Sequence, residues 1–386
     1  MEKIAKHFVT LFSIALFLSV ASDYFAQSQQ TTLKGKVINA ETNEPIQYAT
    51  VFLAFTAKGC LTDEKGEFII TNVAEGKYEV VCAAVGYEKI TTNHTLKTGT
   101  ESNVTYKLKP VPIQVNEINV TASVPEDWED NLLKFTKEFL GESSSSEQCT
   151  IANPEVIDFE IRNDELIAST KQPLYIVNQA LGYKVTIYIK EFAWNTNYDL
   201  GKIAYEPFFE DLHSDKLDEE TEWKKNRKET YLGSFRHFLK SCADNKVYEQ
   251  GFRLYEFKDD EWFKRPIVKS VLWQSEKSLD TLLARILSKD SDNSFKIESK
   301  NTIAVLFLNK GEESNYKWYK KRVYHSDELK SFQSSYLKFL TGTLSFNNDG
   351  NITDKQLFNI QFTGYWAWKR VGDLLPTDYE PPKDDE

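Results

Sequence analysis

His325-Ser326-Asp327-Glu328 has the H-x-x-E spacing that sets two metal ligands on one short segment, the arrangement from which a zinc hydrolase site begins. Such a site needs a second histidine downstream, and none follows His325; the others are His7, His94, His213 and His237. The tetrapeptide therefore reads as a surface turn or helix start, and no metal is assigned. The four cysteines, Cys60, Cys82, Cys149 and Cys242, have no local sequence or nearby histidine that marks an activated thiolate. Cys82 reads equally as a buried free thiol or as the partner of Cys60, and Cys149 with Cys242 would tie two parts of the C-terminal region. The chain has no H-E-x-x-H, G-x-S-x-G, phosphate-binding glycine loop or dinucleotide fingerprint. A glycosidase dyad is defined by spatial separation and cannot be picked from 58 acidic residues. No catalytic residue and no cofactor is assigned.

Two stretches carry binding chemistry instead. Trp223-Lys224-Lys225-Asn226-Arg227-Lys228 is a basic run in an acidic chain, suited to lipid phosphate or an acidic partner, although a solvated helix face explains it as well. Tyr365-Trp366-Ala367-Trp368-Lys369-Arg370 alternates aromatic residues with small or basic ones. As a strand it would set Trp366 and Trp368 on one face, to stack on sugar rings or to pack a core. The candidate binding residues are thus Trp366, Trp368, Arg370, Trp223 and Arg227.

The elements that position them begin with Thr62 to Glu88. Asp63-Glu64-Lys65-Gly66 is a turn signal, and Phe68 and Ile70 then alternate with Glu67 and Ile69. Asn72 to Gly76 turns the chain again, before Tyr78, Val80, Cys82 and Ala84 mark one face of a second strand that Gly86-Tyr87 closes. Gly35, Pro45-Ile46, Ala49, Val51, Thr62-Asp63, Val73 and Gly76 complete a pattern, over roughly residues 32–109, that resembles the carboxypeptidase-regulatory-like domain. The resemblance implies a seven-stranded β-sandwich of transthyretin-like topology over residues 30–110. It also implies a module without catalytic residues, common at the N-terminus of Bacteroidetes envelope proteins, TonB-dependent receptors among them.

Lys3 and Lys6 precede an apolar run from Phe8 to Ala21, short of the ~20 residues that span a bilayer. Residues 1–26 are expected to be a cleaved signal peptide, with cut sites after Ala21 or Ala26, and the mature chain to be exported to the periplasm or the outer membrane. No later segment reads as a transmembrane helix, which leaves peripheral contact with the outer membrane. The formal net charge of -11 argues against nucleic acid as a partner, and 386 residues exceed one ordinary domain.

Pro110-Val111-Pro112 ends the sandwich, and Val115 to Ala122 is a β-rich linker run within residues 111–126 that resembles the strand joining the same module to the receptor plug. The remaining chain is too short for a receptor barrel. Residues 127–386 read as an α+β domain rich in strands. Helices are expected over 127–140, stopped by Gly141, and 219–243. Strands are expected at 156–161, 165–169, 174–177, 183–192, 202–209, 304–308, 339–346 and 356–368. Asn153-Pro154-Glu155, Leu181-Gly182-Tyr183, Asn226-Arg227, Tyr231 to Leu239 and Gly364-Tyr365-Trp366 resemble a group of Bacteroidetes envelope proteins that carry the same sandwich. The expectation is a mainly β, non-catalytic envelope protein that binds or scaffolds an envelope protein or glycan. The alternatives are a hydrolase of peptides or glycans with its site in 125–386, and a carbohydrate-binding protein.

Overall fold

Alternation decides the first unit: Phe68 and Ile70 are each 3% exposed while Ile69 between them is 60% exposed, so one face of that strand must meet a second sheet. The computed structural model describes residues 31–97, 101–111, 127–195, 197–198, 200–257, 274–291, 293–340, 343–353 and 360–382. The chain divides into two units, one of Met1–Leu53 with Lys58–Gln114 and the other of Ala54–Ala57 with Val115–Glu386. The expected signal peptide and linker run lie outside the described residues.

The first unit holds β1 (Thr31–Asn39), β2 (Thr50–Leu53), β3 (Gly59–Leu61), β4 (Glu67–Val73), β5 (Gly76–Ala83), β6 (Ile90–Leu96) and β7 (Glu101–Leu108). They form two sheets, β4-β1-β7 and β3-β2-β5-β6, the seven-stranded sandwich expected. Between them lies a core that includes Leu33, Val51, Phe68, Val80 and Leu108. β1 runs antiparallel to β4 and parallel to β7.

In the second unit α1 (Trp128–Leu140) packs Phe135 and Phe139 onto Phe192 of a six-stranded sheet. That sheet holds β8 (Cys149–Ile151), β9 (Ile157–Arg162), β10 (Glu165–Thr170), β11 (Leu174–Asn178), β12 (Tyr183–Asn195) and β13 (Leu200–Asp211). Then come α2 (Leu217–Tyr231), α3 (Phe235–Ala243), β14 (Phe252–Phe257), α4 (Glu276–Ile286), β15 (Leu287–Ser291), β16 (Ser294–Glu298) and β17 (Thr302–Phe307). α5 (Tyr316–Tyr324), β18 (Gln333–Phe339), β19 (Thr343–Phe346), β20 (Ile360–Gly364) and the single turn α6 (Tyr365–Trp368) follow. β14-β17-β18-β20 and β15-β16-β19 are two further sheets. α3 and α4 cover them through Phe238, Leu239, Leu279 and Leu283, against Phe252, Val305 and Phe346.

Four expectations are corrected. The helix over 219–243 is two helices, because Gly233 takes φ +79° and the Ser234 hydroxyl then accepts from the His237 N–H, opening α3 with a new N-cap. The strand over 339–346 is the end of β18 and all of β19, which lie in different sheets. The strand over 356–368 stops at Gly364, whose φ of +79° turns the chain into α6. The elements at β14, β16, α4 and α5 were not expected at all.

The fourth correction concerns the Cys149–Cys242 tie: all four thiols are free, which for Cys82 is one of the two readings the sequence left open. Cys60 and Cys82 both sit opposite Val51, on the two strands flanking β2. Two inter-strand spacings put them about 10 Å apart, beyond the ~7 Å that a disulfide bridges. Cys149 and Cys242 belong to different apolar clusters. Burial raises all four thiol pKa values, to about 12 at Cys82 and Cys149. The intact mass without reductant is expected to show four free thiols, with Cys82 and Cys242 alkylated at about pH 8 only once denaturant is added; a mass lower by two hydrogens would contradict the geometry.

Candidate functional site

The basic run on α2 is spent on structure. Trp223 is buried and its indole N–H donates to Gln179 O at 2.8 Å, while Asn226 Nδ2 donates to Ala180 O at 2.9 Å. Arg227 donates to Leu181 O at 2.7 Å and Gly182 O at 2.9 Å, reaches Asp211 Oδ1 at 2.8 Å, and stacks 3.8 Å over the Tyr183 ring. One helix face thus clamps the β11–β12 turn by its main-chain carbonyls. Lys224 and Lys225 remain exposed.

Trp366 and Trp368 do not share a strand face. α6 points them apart: Trp368 is 2% exposed among Tyr316, Tyr319 and Tyr365, so the pair is not exposed side by side as a sugar platform. Trp366 packs against Phe235 and Phe238, and its indole N–H donates to Gly233 O at 2.7 Å. The Arg370 guanidinium lies 4.6 Å over the Trp194 ring.

Trp366 nevertheless lines a cleft of about 470 Å³ in the second unit. Its walls come from the turn between α2 and α3, the 144–148 segment, the start of β18, and α6 with the residues after it; Thr230, Gly233, Gln333 and Trp366 are among them. Four of its ionisable groups, Glu313, Tyr365, Lys369 and Asp373, form one network. Lys369 Nζ pairs with Glu313 Oε1 and, at 2.9 Å, with Asp373 Oδ1. Glu313 also accepts from the Tyr365 hydroxyl at 3.0 Å and from Ser144 N–H and Oγ–H at 3.2 and 3.1 Å. Asp373 Oδ2 accepts from Ser143 Oγ at 2.8 Å. Across the cleft Lys310 pairs with Glu229 at 2.6 Å.

Burial acts on Glu313, Lys369 and Tyr365, and at the first two the charged partners outweigh it. At Glu313 burial pushes the carboxyl up, but Lys369, Ser144 and Tyr365 outweigh it and hold the pKa below its ordinary value. At Lys369 burial pulls down, and Asp373 with Glu313 overcomes it, so the ammonium is held more firmly than usual. Burial, with Glu313 beside it, raises Tyr365. His237, beneath the Gly233 turn, accepts the Gly233 N–H at Nδ1 and meets Gln250 Oε1 at Nε2, both within 3.1 Å. That pattern makes Nε2 the protonated nitrogen, and burial lowers the ring's pKa against the opposing Gln250 bond.

Sequence reasoning named Trp366 and Arg370 of this cleft and missed Glu313, Gln333, Lys369 and Asp373. The i,i+4 spacings Tyr365–Lys369 and Lys369–Asp373 are the only trace they leave in the sequence. Among the described residues no His, Cys, Asp and Glu converge as a metal site, and His325 is an exposed helix C-cap. No described helix is long and apolar enough to cross a membrane.

The model of the CarboxypepD_reg-like domain family matches residues 33–120. No curated protein matches the chain. Among solved structures, 3-chlorocatechol 1,2-dioxygenase from Rhodococcus opacus is similar at 14% identity and TM-score 0.19, over 22% of this chain and 61% of that one. The minor pilin of Streptococcus agalactiae is similar at 19% identity and TM-score 0.19, over 25% and 47%. The group B streptococcus pilus 2b backbone protein is similar at 19% identity and TM-score 0.19, over 21% and 41%. The chain therefore spans less than two thirds of each of these proteins.

Proposed function

We propose, with residues 33–120 as a CarboxypepD_reg-like domain, that this chain is a non-catalytic binding protein exported to the cell envelope, and that the cleft of its second unit holds the ligand. The observation that carries the reading is the state of the cleft's ionisable groups. Lys369 is kept protonated by two carboxylates and Glu313 is kept ionised by four donors on three residues. A general base or nucleophile needs a pKa poised near the working pH, and these partners drive both groups away from it. What the cleft offers is a fixed polar lining beside an indole, within the size range of small-molecule sites. Export rests on Lys3, Lys6 and the apolar run after them. The ligand would be an envelope glycan or a segment of an envelope protein.

Thr230 lines the cleft from α2, and Thr230→Trp would fill it from that side. A ligand at a hundredfold excess over its Kd contributes about 2.7 kcal/mol, which raises the Tm of a chain this size by roughly 3 °C. Thermal unfolding of the full chain with saccharides and peptides is expected to show such a rise in the wild type and none in Thr230→Trp. A rise that survives Thr230→Trp, or turnover of any glycan or peptide, would overturn the reading.

A further inference from the structure

Gln333, the first residue of β18, is 3% exposed and lines the cleft. Its Nε2 donates to Gly311 O at 3.2 Å, but its Oε1 is buried and meets no donor. Reversing the amide would set Oε1 against the Gly311 carbonyl, so the orphan is an acceptor. Native proteins seldom leave a buried acceptor unpaired without a role for it. Oε1 lies beside Gly233, where an added Cβ would sit 2.6 Å from it, and Gly233 O holds the Trp366 indole N–H. The unpaired acceptor and the indole therefore meet at one turn of the cleft wall.

We infer that the cleft's ligand is a saccharide, one ring of which lies against Trp366 while a hydroxyl donates to Gln333 Oε1; this rests on the reading of the cleft as the ligand site. The lining supports that choice. Ser145, Gln148 and Thr230 are uncharged donors and acceptors, the groups that pair with hydroxyls. An indole whose N–H is already spent inside the protein offers its apolar surface to the C–H face of a sugar ring. The cleft's acids and bases are largely paired with one another, as Lys369 is with Glu313 and Asp373, and Lys310 with Glu229. They leave little fixed charge for the terminus of a peptide. An extended peptide would also seek a free strand edge, and β18 is paired by β17 from Gln333 onward and by β20 from Ser335 onward.

The test is saturation-transfer NMR and titration on the full chain. The probes are methyl glucoside, methyl galactoside, methyl mannoside and N-acetylglucosamine, with a blocked dipeptide beside them. At least one sugar is expected to bind the wild type and not Thr230→Trp, and its Kd to rise about tenfold in Gln333→Leu and in Trp366→Leu. A deoxy analogue lacking the donated hydroxyl should lose as much in the wild type and nothing further in Gln333→Leu, a signature that altered packing would not produce. Binding unchanged in both leucine variants, or no sugar bound at all, would overturn the saccharide. The dipeptide binding the wild type but not Thr230→Trp would overturn the saccharide and leave the cleft as the ligand site. A sugar bound undiminished by Thr230→Trp would overturn both.

Discussion

Lys369→Met is expected to destabilise the second unit by about 3–5 kcal/mol, the range for removing one partner of a buried charge network. The Asp373 side chain is 4% exposed, and those of Lys369 and Glu313 are 22% and 21% exposed. Without the ammonium, two carboxylates would face each other in a poorly solvated place. The pH dependence gives a second handle. In the wild type the Glu313 pKa is depressed below 4.5, so its contribution is present above the unfolded value and is lost as the pH falls through the folded one. The Lys369 pKa is raised above 10.5, so its contribution is complete below that value and is lost as the pH rises through the folded one. The network is therefore constant across neutral pH. In Lys369→Met burial acts on Glu313 with less opposition, and the variant should gain stability as the pH is lowered from about 7 to 5, a range over which the wild-type network contributes the same throughout. All eight tryptophans lie beyond residue 127, so denaturation followed by indole fluorescence reads the second unit. An unchanged midpoint would show that the network is solvated and contributes nothing.

Gly233→Val should cost about 2–5 kcal/mol in the same measurement. The left-handed conformation at φ +79° costs a residue with a Cβ about 1–2 kcal/mol. The Cβ would also stand 2.6 Å from both Phe307 Cδ1 and Gln333 Oε1, and overpacking adds about 1–3 kcal/mol. Because Gly233 O anchors the Trp366 indole and Gly233 N donates to His237, the tryptophan emission of the folded variant should shift as well. Full stability would mean that the turn has room to relax.

The sandwich was legible because β4 alternates and the turns are marked: Phe68 and Ile70 are buried as their spacing requires, while β5 buries Val80, Val81 and Cys82 in succession. α1 was legible for the corresponding reason, with Phe135 and Phe139 four residues apart on its buried face. The second unit hides its strands in two ways. All six residues of β17 are buried, so it has no alternation, and β18 buries Gln333, Ser334 and Ser335, which read as surface. The α2–α3 break was missed because helix-forming residues flank Gly233 on both sides; only the fold around Phe307 and Gln333 makes that glycine a stop. The tryptophans misled in the opposite direction, since Trp366-Ala367-Trp368 alternates like a strand while Gly364 has already reversed the chain. The cleft itself was out of reach, because its walls are drawn from positions scattered between Ser144 and Leu374.

The parallel pairing of β1 with β7 has a consequence for how the chain is made. β1 is the middle strand of its sheet and pairs with β7 from Thr32↔Glu101 to Asn39↔Leu108. Made before the other strands of the sandwich, it must wait for Leu108 before both its edges are covered, and until then it presents an open template to other nascent chains. Closing so long a loop is slow compared with forming a hairpin. The sandwich thus completes late for its size, and fragments ending before β7 are the ones expected to aggregate.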